Sequence, residues 1–185
     1  WVRPCSCPQK KGCRSHDLTN KKIWFKILPK KNSLYFFLTL QQMSYQLSED
    51  IRNGYNCTAE AVPGAGKTHL LLELSRTYPC CLILAYNNQL ASEISDQSTY
   101  TTTCLTFHSL CSKCIGSAKD DEQMLDLVLD AERGSKNVTS LPQKFKLLLI
   151  DEAQDVRDLY VRLIKVCGLD HVQKCVVGDR NQLVY

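Results

Sequence analysis

Apolar residues in this chain gather in short unbroken runs, separated by stretches in which they recur every three or four positions. The runs Cys80-Cys81-Leu82-Ile83-Leu84-Ala85-Tyr86 and Leu147-Leu148-Leu149-Ile150 lack the alternation of a half-exposed strand, and predict strands buried on both faces of a sheet. Cys57-Thr58-Ala59-Glu60-Ala61, the threonine-rich residues 99–106 and Lys174-Cys175-Val176-Val177 complete five strand candidates. Between them the spacing predicts helices. One runs from residue 68 with no breaker until Pro79, one starts at 87–94, and one follows Phe107. Residues 120–133 place Met124, Leu125, Val128 and Leu129 on one side and end at Gly134, and a further helix over 156–167 stops at Gly168. A short helix over 46–54 closes at Asn53-Gly54. Strands alternating with helices in this order predict an α/β fold built on a doubly wound, mostly parallel sheet.

Residues 1–42 break the pattern. They mix Pro, Cys, Lys and a short aromatic run without helical or strand period, and are expected to be a basic leader, disordered or non-native, ahead of a domain over 43–185. The charge supports the division: the leader carries nine Lys and Arg against the single acid Asp17, so the net +4 of the whole chain leaves the body mildly acidic. Contact with nucleic acid must then come from local features rather than a global field. A length of 185 residues is one domain's worth, and the longest apolar run, 34–40, is too short for a membrane span.

Eleven cysteines without a signal peptide of normal layout read as free thiols of an intracellular protein, with nucleus or cytoplasm left open. Cys5, Cys7, Cys13 and His16 form one metal candidate, and Cys111 and Cys114 with Cys104 and His108 form another. Neither completes a standard ligand pattern, so buried small thiols are the plainer expectation.

The chemistry concentrates at two places. The first is Ala61-Val62-Pro63-Gly64-Ala65-Gly66-Lys67-Thr68, a tight loop between a strand and a helix. Its glycines let the backbone approach an anion, and the following helix N-terminus offers unpaired N–H groups and partial positive charge. Lys67 is expected to reach terminal phosphates and the Thr68 hydroxyl to ligate Mg²⁺. The usual first glycine of such a phosphate-binding loop is Ala61 here. The second place is Asp151-Glu152, at the end of the apolar run 147–150. Two carboxylates at the C-terminal edge of a buried parallel strand are where ligands bind in open α/β sheets. Asp151 is expected to hold Mg²⁺ through water and Glu152 to activate the attacking water.

From these motifs the chain resembles the UvrD/Rep-like helicases of superfamily 1, in compact viral or F-box-helicase form. The likeness extends through Ala85-Tyr86-Asn87-Asn88-Gln89-Leu90-Ala91, Thr106-Phe107-His108-Ser109, Asp151-Glu152-Ala153-Gln154-Asp155 and Gly178-Asp179-Arg180-Asn181-Gln182-Leu183-Val184-Tyr185, in the family's order. It covers residues 46–185. The resemblance implies a RecA-like domain that binds ATP and Mg²⁺, with Gln46 reading adenine and residues 61–68 around the phosphates. It also implies Gln154 and Gln182 near the γ-phosphate, and Tyr86, Asn88, Thr106, Phe107, His108 and Tyr185 along single-stranded DNA. Aromatic faces stack on any base, which suits sequence-independent tracking.

Only 41 residues separate Ser109 from Asp151, so the accessory insertion of larger relatives is expected to be absent or reduced to the helix over 120–133. A second RecA-like domain, with the arginine that stabilises the transferring phosphoryl group, is expected to be missing from this chain. The parent activity so implied is ATP-dependent DNA translocation and unwinding. The alternative is a nucleotide-binding interaction module, or a decayed helicase remnant without turnover.

Overall fold

The computed structural model describes residues 23–27, 33–61, 64–86, 88–97, 102–141 and 145–179. Among these residues six strands form one sheet: β1 (Ile23–Ile27), β2 (Cys57–Ala61), β3 (Cys81–Ala85), β4 (Thr103–Thr106), β5 (Leu147–Ile150) and β6 (Gln173–Gly178). Their order is β1-β2-β6-β5-β3-β4, and every neighbouring pair is parallel. All the strands therefore end at the same edge, and the loops that leave those ends converge there.

Among the described residues six helices cover the sheet: α1 (Ser33–Arg52), α2 (Lys67–Thr77), α3 (Asn88–Gln97), α4 (Phe107–Cys114), α5 (Asp121–Glu132) and α6 (Asp158–Val166). Because successive strand residues point to opposite faces, the runs 81–85 and 147–150 divide between two cores. Cys81, Ile83, Leu147 and Leu149 join Leu47 and Ile51 of α1, Leu70, Leu71 and Leu74 of α2 and Ile94 of α3. Leu82, Leu84, Leu148 and Ile150 face the other way, onto Phe107 and Leu110 of α4, Met124 and Val128 of α5 and Leu163 of α6. The unalternating apolar pattern is thus explained by a three-layer fold with both sheet faces buried.

The α/β class and the parallel sheet match the expectation, and five of the six strands fall on the predicted segments. The boundary expected at residue 42 is corrected. Helix α1 runs straight through it, and Ile23–Ile27 pairs with Cys57–Ala61 as the edge strand. The physical reason is visible in retrospect: apolar residues at 36, 40, 43, 47 and 51 keep helical spacing across the boundary, and Ile23-Trp24-Phe25-Lys26-Ile27 is rich in β-forming side chains. Cys5, Cys7, Cys13 and His16 lie outside the described residues.

Candidate functional site

Strand β2 ends at the fully buried Ala61, and three residues on, the backbone is left-handed at Gly64 (φ 73°) and again at Gly66 (φ 78°). Gly66 is the N-cap of α2 and supplies no side chain to the first helical N–H groups, which leaves those donors available to an anion. Ala65 is buried against the core and anchors the loop from below. Lys67 and Thr68, in the first turn of α2, are only partly exposed.

The ammonium of Lys67 lies 2.5 Å from Glu152 Oε2, so the two expected centres meet across 85 positions of sequence. Between β2 and β5 the sheet holds a single strand, β6, and this order brings the loop and the carboxylates together. Glu152 adopts a left-handed conformation (φ 47°, ψ 54°), a conformation costly for a non-glycine residue and most often met at functional turns. Its backbone N–H donates to Asp151 Oδ1 at 2.9 Å. Gln154, on the 3-10 turn Ala153–Asp155, donates through Nε2 to the same Glu152 Oε2 at 2.7 Å. The Gln154 Oε1 in turn accepts the Asp179 backbone N–H at 3.0 Å. Lys67, Glu152, Gln154 and Asp179 thus form one chain of polar contacts from α2 to the end of β6.

Gly178 makes room for that chain. A Cβ there would come within 2.7 Å of Gln154 Oε1 and 2.9 Å of the Ala153 backbone nitrogen, so the 3-10 turn packs directly on the strand end only because no side chain intervenes.

Asp151 is 2 % exposed, and burial pushes its carboxyl up to about 6; Glu152 adds to the rise, while its hydrogen bond from the Glu152 N–H and the charge of Lys67 oppose it. A buried carboxylate whose ionised form is disfavoured, next to the Glu152 that Lys67 contacts, suits a hard divalent cation carried in with a phosphate. The oxygen donor set of Thr68 and Asp151 fits Mg²⁺ by its chemistry. Among the described residues no group of three or more His, Cys, Asp or Glu is arranged to hold a metal, at the cysteine candidate or at Asp151-Glu152. Cys104, Cys111 and Cys114 are free thiols there.

A family model described as an AAA domain matches residues 49–185. The chain belongs to the AAA domain family. A comparison with curated proteins gives no match. The AAA domain begins inside α1 and contains the loop, the carboxylates and strands β2 to β6, so the fold is that of a P-loop nucleotide-binding domain.

The remaining expected residues of this AAA domain sort by exposure. Tyr86 stands 41 % exposed at the end of β3, and Asn88 is exposed at the start of α3. His108 is partly exposed at the start of α4, with Nε2 3.6 Å from Asp121 Oδ1. Thr106 and Phe107 are corrected. Thr106 is buried, and its hydroxyl caps α4 by accepting the Ser109 N–H at 3.1 Å. Phe107 is 2 % exposed and stacks on Tyr160 with ring centroids 4.3 Å apart. Both side chains turn inward because the strand-to-helix junction must be capped and its aromatic packed, and together they hold His108 outward.

Gln46 is exposed on α1, whose buried side carries Met43, Leu47 and Ile51. Val62, Pro63, Gln182 and Tyr185 lie outside the described residues. Residues unforeseen from sequence are Asp121, Arg157 and Tyr160. Their carboxylate, guanidinium and phenol meet beside His108, Asp121 from α5 and Arg157 and Tyr160 from the start of α6. A pairing 36 to 39 residues apart leaves no local signal to read. Among the described residues no helix is long and apolar enough to cross a membrane.

Proposed function

We propose that this domain binds Mg-ATP between the 61–68 loop and the Asp151-Glu152 pair, and that it is the ATP-binding half of a single-strand DNA translocase and helicase. The observation that carries the reading is the Lys67–Glu152 contact of 2.5 Å, which unites a phosphate-type loop and a carboxylate pair at one sheet edge. Lys67 and the first N–H groups of α2 bind the phosphates. Thr68 and Asp151 would hold Mg²⁺, which when bound neutralises phosphate charge and polarises the phosphoryl oxygens. Once phosphate takes over Lys67, Glu152 is left to orient and deprotonate a water. Gln154, bonded to Glu152 on one side and the Asp179 backbone on the other, is placed to pass a change at the phosphate to β6. Tyr86, Asn88 and His108, at the same edge on β3, α3 and α4, form the surface for the strand, where an exposed aromatic offers a face to any base.

A second reading, a nucleotide-binding interaction module without turnover, is favoured by the hold of Lys67 and Gln154 on the carboxylate oxygen of Glu152. Nucleotide binding and phosphate release, measured on this chain with and without oligothymidylate, separate the two. The first reading predicts Mg-ATP binding with very slow turnover and no unwinding until a second RecA-like domain is supplied. Binding with turnover absent even beside such a domain favours the module, and robust strand-stimulated turnover by this chain alone contradicts the division of labour proposed.

A further inference from the structure

Asp121 accepts from two side chains of the α6 segment and faces a third on α4. Its Oδ2 accepts from Arg157 Nη1 at 3.1 Å, and its two oxygens lie 3.0 and 3.1 Å from the Tyr160 hydroxyl. His108 Nε2 stands 3.6 Å from Oδ1. Burial, and then the neighbouring Asp121 carboxylate, push the Tyr160 phenol up, so it serves as a donor. Tyr86 lies near enough to Tyr160 for the two phenols to interact electrostatically, and its ring is exposed. A guanidinium, an imidazole and a phenol gathered round one oxyanion, beside an exposed aromatic, make up the donor set that a phosphodiester next to a stacked base would meet.

As a brace for the fold the Asp121–Arg157 pair is weak, because the Arg157 side chain is 59 % and the Asp121 side chain 32 % exposed. Packing of α5 rests instead on Met124 and Val128, which are fully buried. The Asp121 side chain can therefore swing towards solvent without unseating the helix.

We propose that Asp121 is an internal stand-in for a nucleic-acid phosphate: it occupies the donors of Arg157 and Tyr160 beside His108 and is displaced when a phosphodiester of a single strand binds beside Tyr86. The inference rests on the reading of this edge as a strand-binding surface, and adds to it an autoinhibitory carboxylate and a phosphate contact at Arg157. Asp121 sets a threshold: a strand must outcompete a carboxylate already in place, so weakly held polyanions are rejected.

The test is fluorescence anisotropy of a short labelled oligothymidylate against the full chain, at about 50 and about 200 mM salt. Wild type, Asp121→Asn, Arg157→Gln, the double variant and Tyr86→Ala are compared, each with a thermal melt. Asp121→Asn is expected to tighten binding about 3- to 10-fold at the lower salt, a gain that shrinks at the higher. Arg157→Gln is expected to weaken binding, to lower the salt slope by about one, and to abolish the gain in the double variant. Equal or weaker binding by a folded Asp121→Asn overturns the proposal, and so does Arg157→Gln binding like wild type, which needs no result from Asp121→Asn. If the strand binds wild type and loses affinity in Tyr86→Ala while those two variants change nothing, this inference falls and the strand-surface reading stands. If no variant binds the strand, both fall.

Discussion

Lys67 Nζ and Glu152 Oε2 stand 2.5 Å apart, with the side chain of Lys67 only 10 % exposed. The contact joins the cation of the 61–68 loop to the carboxylate proposed here to activate water. In that proposal each holds the other away from its task until a ligand intervenes.

Glu152→Gln is expected to separate the two tasks. The isosteric amide keeps shape but loses the charge that holds Lys67, so Mg-ATP should bind at least as tightly as in wild type. Turnover should fall by about 100-fold or more for want of a base. Calorimetric titration and a phosphate-release assay check the two halves.

Gly178→Ala is expected to disturb the same centre from beneath. The added methyl would press on Gln154 Oε1 at 2.7 Å and on the Ala153 backbone at 2.9 Å, and backbone cannot step aside cheaply. Overpacking of this kind costs about 1–3 kcal/mol, or about 2–4 °C in Tm for each kcal/mol in a domain this size. Circular-dichroism melting reads the loss, and nucleotide affinity should drop with it as Gln154 is pushed from Glu152.

Much of this was legible in the sequence because the signals are local. A buried parallel strand must be apolar on both faces, so Cys81–Ala85 and Leu147–Ile150 announce themselves, and a loop that approaches phosphate needs Gly64 and Gly66 in left-handed turns. The edge strand Ile23–Ile27 went unread because it sits among lysines and prolines that obscure its period. Phe107 was misread for a different reason. Sequence gives its neighbours along the chain but not Tyr160, 53 positions on, whose ring takes its face.

That stacking yields a contrast between two aromatics. Phe107→Ala opens a cavity in the core under α4 and α6 and should cost about 3–5 kcal/mol of stability, with any loss of function following from unfolding. Tyr86→Ala, at an exposed site, should leave stability within about 0.5 kcal/mol and weaken single-strand binding by about 1–3 kcal/mol. Melting curves and anisotropy on both variants check the pair.

Asp151 makes stability depend on pH. Its carboxyl is raised from 3.8 to about 6 in the folded chain, chiefly by burial, so the folded state holds a proton that the unfolded state has already released. Stability from this group is therefore present below about pH 4 and is lost as pH rises through about 6, by on the order of 2–3 kcal/mol. Asp151→Asn removes the loss: its Tm should exceed that of wild type at about pH 7.5 and converge on it near pH 4. Addition of Mg-nucleotide should stabilise wild type far more than this variant at the higher pH, by scanning fluorimetry.

The most direct test is the affinity of Mg-ATP for wild type against Lys67→Ala, by isothermal titration calorimetry on the same chain. Removal of the only side-chain cation in the loop should weaken binding by at least about 10-fold while the melt stays within a few degrees of wild type, since the partner Glu152 keeps its bond to Gln154. Undiminished binding in a folded Lys67→Ala would mean that the nucleotide sits elsewhere, and the site described here would be wrong.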